Sequence, residues 1–169
     1  MRIELTPTPL SPDRFAPFGE VVAMRHHNPQ LINDGNTERF DALATLQTYQ
    51  PDDQLVISLF RGQPRVLPLR VRLLERHPLG SQSFHPLSGL PYLILVADAV
   101  ERPQPHQLHL FLAAAEQGIC YAPNTWHHPL LALYQVSDFL VVDRKGPGDN
   151  CEEHHFPDDQ EIWIKAGTF

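Results

Sequence analysis

The sequence predicts an all-β protein, built as an antiparallel sandwich or barrel. Seventeen prolines in 169 residues favour a turn-rich β fold over a helical bundle. Many short runs alternate apolar and polar residues, and proline, glycine or acidic turn residues separate them about every 8 to 12 positions. Only one stretch carries strong helix signals. A chain of this length is expected to form one domain.

The helix signal lies near the N-terminus, in LSPDRFAPFGEVV. Ser11 can cap the first turn, Pro12 fits the first helical position and Gly19 can end the element. Pro17 limits the helix to about a turn and a half. A loop with the turn signal NDGN follows. The predicted strands come next, in the order FDALATLQTYQ, QLVISLFRG, LPLRVRLLERH, SQSFHPLSG, PYLILVADA, HQLHLFLAA, GICYAP, LLALYQV and DFLVVDRKG.

The run LRVRLLERH ends in a glutamate and a histidine where its alternation predicts an inward face. Side chains at i, i+2 and i+4 of a strand share one face, so Glu75 and His77 are predicted to continue the apolar face. Arg76 then lies on the opposite, basic face. An inward carboxylate is costly unless it is paired, hydrogen-bonded, metal-bound or in a wet cavity. The pattern indicates either the wall of a site or a buried hydrogen-bonded pair without chemistry.

A second histidine-rich stretch, GICYAPNTWHHPL, places His127 and His128 side by side. Neighbouring residues of a strand face opposite ways, so at most one of the two is expected in the same cavity. Together the two stretches resemble the two motifs of the cupin superfamily. Glu75 and His77 take its His-x-His positions, Gln82 its acid position and Gly89 its glycine position. The second motif corresponds to Gly118, Pro123, Thr125 and His128.

A closer resemblance covers nearly the whole chain. The segments INDGNTERFDALA, LERHPLGSQSF, NTWHHPL and DFLVVDRKGPGDNC, in this order, resemble the ureidoglycolate lyase family. The resemblance implies a single cupin-like domain over residues 1 to 169, with its core from about 15 to 164. It also implies a cupin-type antiparallel β-barrel (jelly roll) with a short N-terminal helix. The implied activity is cleavage of ureidoglycolate to glyoxylate and urea in allantoin degradation, and the implied assembly is a homodimer.

This reaction requires a base for the substrate hydroxyl, an acid for the departing nitrogen and an anchor for the carboxylate. The predicted catalytic residues are Glu75, His77 and His128. The predicted substrate-binding residues are Asn33, Arg39, Ser58, Arg61, Gln82 and Trp126. No cofactor is required on this prediction. Alternatively His77, His128 and Glu75 hold a divalent metal such as nickel, manganese or zinc.

Two other classes remain open: a metal-dependent cupin oxygenase or isomerase, and a non-catalytic cupin that binds a small acid. Gln82 in the acid position argues against the first, because glutamine is a weak ligand. Several candidates also have ordinary structural explanations. Asn33 can be a turn residue, Arg39 and Arg61 solvated charges, and the segment CEEHH at 151 to 155 a hydrophilic tail.

Composition limits the classes of binding partner and the cellular location expected for this protein. The net charge of −7 argues against nucleic acid or an anionic membrane surface. The two cysteines form neither a disulfide framework nor a zinc motif. No signal peptide or apolar run of about 20 residues is apparent, so a cytoplasmic protein is expected. The apolar strands LHLFLAA and LALYQV exceed what one interior requires, which predicts a homodimer.

Overall fold

A computed structural model describes residues 2 to 98 and 101 to 169. Ala99, the last residue of one predicted strand, lies outside the described residues. The helical elements are α1 (Pro12–Phe15) and a 3₁₀ turn at Pro105–Gln107. The strands are β1 (Arg2–Leu5), β2 (Thr8–Pro9), β3 (Gly19–Val22), β4 (Gln30–Ile32), β5 (Thr37–Arg39), β6 (Gln54–Gly62), β7 (Leu69–Val71), β8 (Leu73–Arg76), β9 (Gln82–Pro86), β10 (Tyr92–Ala97), β11 (Leu108–Ala113), β12 (Gly118–Tyr121), β13 (Trp126–His127), β14 (Leu131–Ala132), β15 (Ser137–Lys145), β16 (Glu152–His155) and β17 (Glu161–Ile164). The prediction of an almost purely β protein is confirmed.

The strands form four sheets. The front sheet has the order β3-β12-β9-β15-β6, and the middle sheet has the order β16-β8-β13-β10-β11-β2, with β14 also paired to β10. The back sheet is β1-β17-β7, and β4 and β5 form a separate hairpin. Most pairs are antiparallel, but β1 with β17 and β11 with β2 are parallel. The pairings between described residues do not close one continuous barrel.

Two apolar cores separate these sheets. The first lies between the front and middle sheets and contains Phe15, Phe84, Ile94, Ile119 and Phe139. The second lies between the middle and back sheets, around residues such as Leu74, Leu95, Trp126 and Ile162. A strand of the middle sheet therefore presents successive side chains to different cores, as the alternation of a strand requires.

The run predicted as one strand, LPLRVRLLERH, is divided between two sheets. β7 pairs with β17 in the back sheet, whereas β8 pairs with β16 and β13 in the middle sheet. The break at Arg72 shifts the alternation, so Val71 and Leu74 both face the second core. The prediction that Glu75 continues the apolar face of Val71 is therefore wrong. Glu75 faces the front sheet, because it follows Leu74 on the opposite side of the strand.

Surplus apolar surface lies on β6, the edge strand of the front sheet. Leu55, Ile57 and Leu59 alternate on its outer side, and Ile57 and Leu59 are each 71% exposed. The sequence predicts the surplus on LHLFLAA and LALYQV. In the first segment Leu108, Leu110 and Phe111 are buried, whereas in the second Tyr134 and Val136 are each 45% exposed. Among the described residues, no helix has the length and apolar character needed to cross a membrane.

Candidate active site

Glu75 and two histidines meet where the middle sheet faces the front sheet. Glu75 lies opposite His127 in the register of β8 with β13. Its Oε1 atom is 3.6 Å from Nε2 of His127 and 3.9 Å from Nε2 of His77. The two imidazole centroids are 5.1 Å apart. The three side chains therefore direct one carboxylate oxygen and two ring nitrogens towards one point.

Backbone carbonyls fix both imidazoles from the other side of the ring. Nδ1 of His77 is 2.7 Å from the carbonyl of Asn150, and Nδ1 of His127 is 2.8 Å from that of Thr125. Because a carbonyl only accepts, each Nδ1 carries a proton, and Nε2 is the ring nitrogen turned towards Glu75. Both Nε2 atoms are buried and have no hydrogen-bond partner within the described chain. The second histidine is also held by Tyr121, whose ring stacks on it at 4.1 Å.

Burial and mutual charge set the protonation of this cluster. Burial raises the pKa of Glu75, but His127, His77 and His128 more than offset it, and its pKa lies below the ordinary value. Burial and the neighbouring His127 lower the pKa of His77, although Asn150 and Glu75 act against them. Near neutral pH the site therefore holds an ionised carboxylate beside a neutral imidazole of His77.

His127, not His128, is the histidine closest to Glu75, whereas the motif spacing predicts His128 as its partner. β13 ends at His127, so the next residue leaves the strand before Pro129. The Nδ1 atom of His128 lies 2.7 Å from the Pro129 carbonyl. His127 and His128 both line a small cavity beside Glu75, so the expectation that at most one of them enters the same cavity is wrong. His128 is nevertheless not among the side chains whose ligand atoms converge. Burial, more than the charge of Arg65, lowers its pKa.

A cavity of about 550 Å³ opens beside Glu75. This volume lies within the usual range for small-ligand sites. The front sheet supplies Phe60, Gln82 and Phe84 to its wall, and the loop after β6 supplies Arg65. Glu75 lines both this cavity and the small cavity at His127. The carboxylate thus connects an open binding space with the buried imidazole.

Gln82 is fixed by a carboxylate of the adjacent strand. Its Nε2 atom donates to Oδ2 of Asp143 across β9 and β15, at 3.2 Å. Its Oε1 atom is shielded from solvent and has no partner in residues 2 to 98 or 101 to 169. A buried acceptor without a partner is unfavourable, which indicates a place for a donor from a ligand.

The two arginines at the cavity differ in their pairing. Arg61 makes a bidentate ion pair with Asp138, at 2.8 and 2.9 Å. Arg65 lines the same cavity, and no carboxylate of the described residues pairs with it. An unpaired guanidinium at a cavity mouth is suited to bind a carboxylate.

Four other predicted binding residues lie away from this cavity. Asn33 is in the turn of the β4–β5 hairpin and donates to Thr37, and Arg39 pairs with Asp41 on the surface. Trp126 faces the second core, because its neighbour His127 occupies the opposite side of the strand. Ser58 is half-buried on β6 and is not among the residues that line the cavity.

Sequence reasoning missed several groups. Arg65, Asp143 and Asn150 belong to no local sequence motif, and they reach the site only through pairing of distant strands.

The CEEHH segment is predicted to be a solvated tail, but Glu152–His155 forms β16 and pairs with β8. Ligand atoms of Cys151, Glu153 and Glu75 lie within 4.8 Å of one another. The alternation of EEHH was the available signal for a strand.

Ligand atoms of Glu75, His77 and His127 lie within 4.8 Å of one another. Two imidazole nitrogens and a carboxylate are a donor set that divalent transition metals accept. The same groups can transfer protons without a metal, because a neutral imidazole accepts a proton and a nearby carboxylate stabilises the resulting cation. The geometry fits both types of chemistry.

Comparisons with known proteins agree with one another. A family model described as "Ureidoglycolate lyase" matches residues 2–164. A protein of Azotobacter vinelandii named ureidoglycolate lyase is 48% identical over 164 residues, which cover 97% of this chain and 98% of that protein. A protein of the same name from Pseudomonas paraeruginosa is 46% identical over 156 residues, 92% of each chain. One from Stutzerimonas stutzeri is 44% identical over 160 residues, 95% of this chain and 94% of its own.

Proposed function

The chain belongs to the ureidoglycolate lyase family, and we propose that it cleaves ureidoglycolate to glyoxylate and urea with Glu75, His77 and His127 at the reacting carbon. The observation that carries this assignment of residues is the convergence of one ionised carboxylate and two free ring nitrogens beside an open cavity. The pathway we propose for it is the degradation of allantoin.

The chemistry moves one proton from oxygen to nitrogen. The substrate carbon bears a carboxylate, a hydroxyl and a ureido nitrogen. Removal of the hydroxyl proton forms the aldehyde carbonyl of glyoxylate as the carbon–nitrogen bond breaks. The bonding electron pair stays on nitrogen, and this nitrogen must be protonated because the anion of urea is a poor leaving group. An imidazole with a free lone pair can accept the first proton and return it to the nitrogen.

The proposed proton carrier is His127, which is 3% exposed and lies 3.6 Å from Glu75. Its Nδ1–H bond to Thr125 and its stack on Tyr121 hold Nε2 towards the carboxylate. Glu75 stabilises the imidazolium that forms when the hydroxyl proton is accepted. His77 reaches the same oxygen from the other side at 3.9 Å. The two histidines and the carboxylate thus act as one unit.

We propose that the same unit can hold a divalent metal. The two buried Nε2 atoms without partners and the ionised Glu75 fit a transition metal with nitrogen and oxygen ligands. When bound, such a metal polarises the oxygen atoms of the substrate. The chain's own contribution is to fix the ligand orientation through the carbonyls of Asn150 and Thr125.

The direct test follows glyoxylate release from ureidoglycolate by the purified protein, with and without a chelator. Release without added metal, unchanged by a chelator, supports proton transfer by the side chains alone. Loss of activity with the chelator, restored by nickel, manganese or zinc, supports the metal-bound form. No glyoxylate under either condition contradicts the proposed function.

Arg65 is the proposed anchor of the substrate carboxylate, in place of Arg39 and Arg61. Replacing Arg65 by glutamine is expected to raise KM about 10- to 100-fold with a smaller change in kcat, because a charge-assisted hydrogen bond to bound substrate is lost. Arg61→Gln is the matched control, and it should change KM less than about threefold, since Asp138 already pairs with Arg61. A larger KM effect at Arg61 would assign the anchor to that residue instead.

The front and middle sheets, packed over a shared core, are proposed to be a cupin-type jelly roll. We also propose that the outer side of β6 is the interface of a homodimer. Leu55, Ile57 and Leu59 give this edge strand an apolar outer row, and its free backbone edge can pair with a second copy. A long apolar edge left in water promotes aggregation, so a closed two-fold contact is the expected solution.

The double variant Ile57→Asp/Leu59→Asp is expected to convert the dimer to a monomer of 19.2 kDa, measured by light scattering at micromolar concentration. Each change places a charge in the proposed interface, where it would be buried without a partner. Met24→Asp is the control, because Met24 is 62% exposed and follows β3 at the opposite edge of the same sheet. A monomeric unmodified protein, or a dimer in the double variant, would contradict the interface.

A further inference from the structure

The amide of Gln82 has one possible orientation. The carboxylate of Asp143 accepts hydrogen bonds and does not donate them, so the amide group 3.2 Å from it must be the NH₂ end. The carbonyl oxygen is then the free end of the side chain. Gln82 is 8% exposed, and this oxygen has no partner in the described part of the chain.

Gln82 lines a cavity that has one positive end. Gln82 lies on β9 in the cavity wall shared with Glu75, while Arg65 lies in the loop that follows β6. A neutral hydrogen-bond acceptor and an unpaired guanidinium bind different chemical groups of a ligand. The guanidinium binds a carboxylate, and the amide oxygen binds an N–H group.

We propose that the Gln82 carbonyl oxygen accepts hydrogen bonds from the N–H groups of the ureido end of the substrate, and that Asp143 is the positioning residue that holds this oxygen in place. The inference rests on the proposed function and adds the direction in which the substrate lies. Arg65 takes the carboxylate end, Gln82 takes the ureido end, and the carbon between them lies at Glu75.

This arrangement also sets specificity. A site that places a buried acceptor opposite N–H donors rejects an analogue that lacks them, because the acceptor is then left without a partner. Asp143→Asn removes the constraint, since an asparagine can donate as well as accept. The amide of Gln82 can then reverse and present its NH₂ group, which repels the donors of the ureido group.

The two products of the reaction can be used to test the two ends of the site separately. Urea carries only the N–H donors, and glyoxylate carries only the carboxylate end. Each is tested as an inhibitor of ureidoglycolate consumption, with urea kept below concentrations that unfold the protein. Asp143→Asn is expected to raise the inhibition constant of urea about tenfold and that of glyoxylate less than about threefold. Arg65→Gln is expected to show the opposite pattern.

A double variant that exchanges the two side-chain types is expected to restore the inhibition by urea. In the double variant Gln82→Glu/Asp143→Asn, the amide and the carboxylate exchange positions, total charge is kept, and an acceptor again faces the cavity. Urea inhibition should return to within about threefold of the unmodified protein. Asp158→Asn, a change at an exposed residue on the far side of the back sheet, is the matched control and should alter neither constant.

Equal weakening of urea and glyoxylate by Asp143→Asn would overturn the proposal, because it would mean general damage to the site. Unchanged urea inhibition in Asp143→Asn, or failure of the swapped pair to restore it, would overturn it as well. Calorimetric titration with urea and with glyoxylate makes the same comparison without turnover. A protein that binds urea through Gln82 but releases no glyoxylate from ureidoglycolate would contradict the proposed function and not this inference.

Discussion

Replacing Glu75 by glutamine is expected to lower the rate of glyoxylate release about 10²- to 10⁴-fold, the usual contribution of an acid–base group. Glutamine keeps the size and much of the hydrogen bonding of the side chain but removes its charge. That charge stabilises a protonated imidazole at 3.6 Å and 3.9 Å in the proposed mechanism. Glyoxylate release is measured for both proteins under identical conditions, and the melting temperature shows whether the variant remains folded.

Glu152→Gln is the matched control for this change. Glu152 lies on the paired strand β16 opposite Arg76, and it binds Arg76 on the other side of the sheet, where Arg76 also packs on Trp126. Its loss should reduce activity less than about tenfold. Equal losses in the two variants would show that Glu75 has no special role. Restoration of the Glu75→Gln activity by added divalent metal would assign the carboxylate to metal binding.

The fold class and the unusual position of Glu75 and His77 could be predicted from sequence. Proline content and alternating runs are local signals, and they predicted a β protein correctly. An acidic residue two positions before a histidine, in a run of alternating apolar residues, is also a local signal. The structure brings these two side chains together with His127.

The side of the strand on which the Glu75 side chain lies could not be predicted from the same run. Alternation holds only within one strand, and the chain changes sheets at Arg72. Nothing in LRVRLLERH marks this change, because the apolar residues continue on both sides. Glu75 points into the protein, as the sequence predicts. Its side chain faces the front sheet, however, and not the second core, which Val71 faces.

The contacts that site residues make with distant parts of the chain could not be predicted from local sequence patterns. Asp143 meets Gln82 because β15 pairs with β9, and Asn150 meets His77 across 73 positions of sequence. The choice between two arginines depends on Asp138, which lies opposite Arg61 in the register of β15 with β6. A pairing between distant strands decides which charge is neutralised and which is left for a ligand.

The choice between the two adjacent histidines has the other large expected effect. His127→Asn is expected to reduce glyoxylate release about 10²- to 10⁴-fold, whereas His128→Asn should stay within about tenfold of the unmodified protein. Asparagine can retain a donor near the position of Nδ1, so the bond to the Thr125 carbonyl can persist at position 127. It has no counterpart of Nε2, the atom that faces Glu75.

The same substitution at both positions makes the comparison fair, because each histidine donates from Nδ1 to a backbone carbonyl. Melting temperatures distinguish a lost proton carrier from a misfolded strand, since removal of a buried ring also removes its stack on Tyr121. A larger loss for His128→Asn would return the catalytic role to the position predicted by motif spacing. A loss confined to His127→Asn in a folded protein would assign the role to the residue at the end of β13, whose ring faces Glu75 because the strand alternates between two cores.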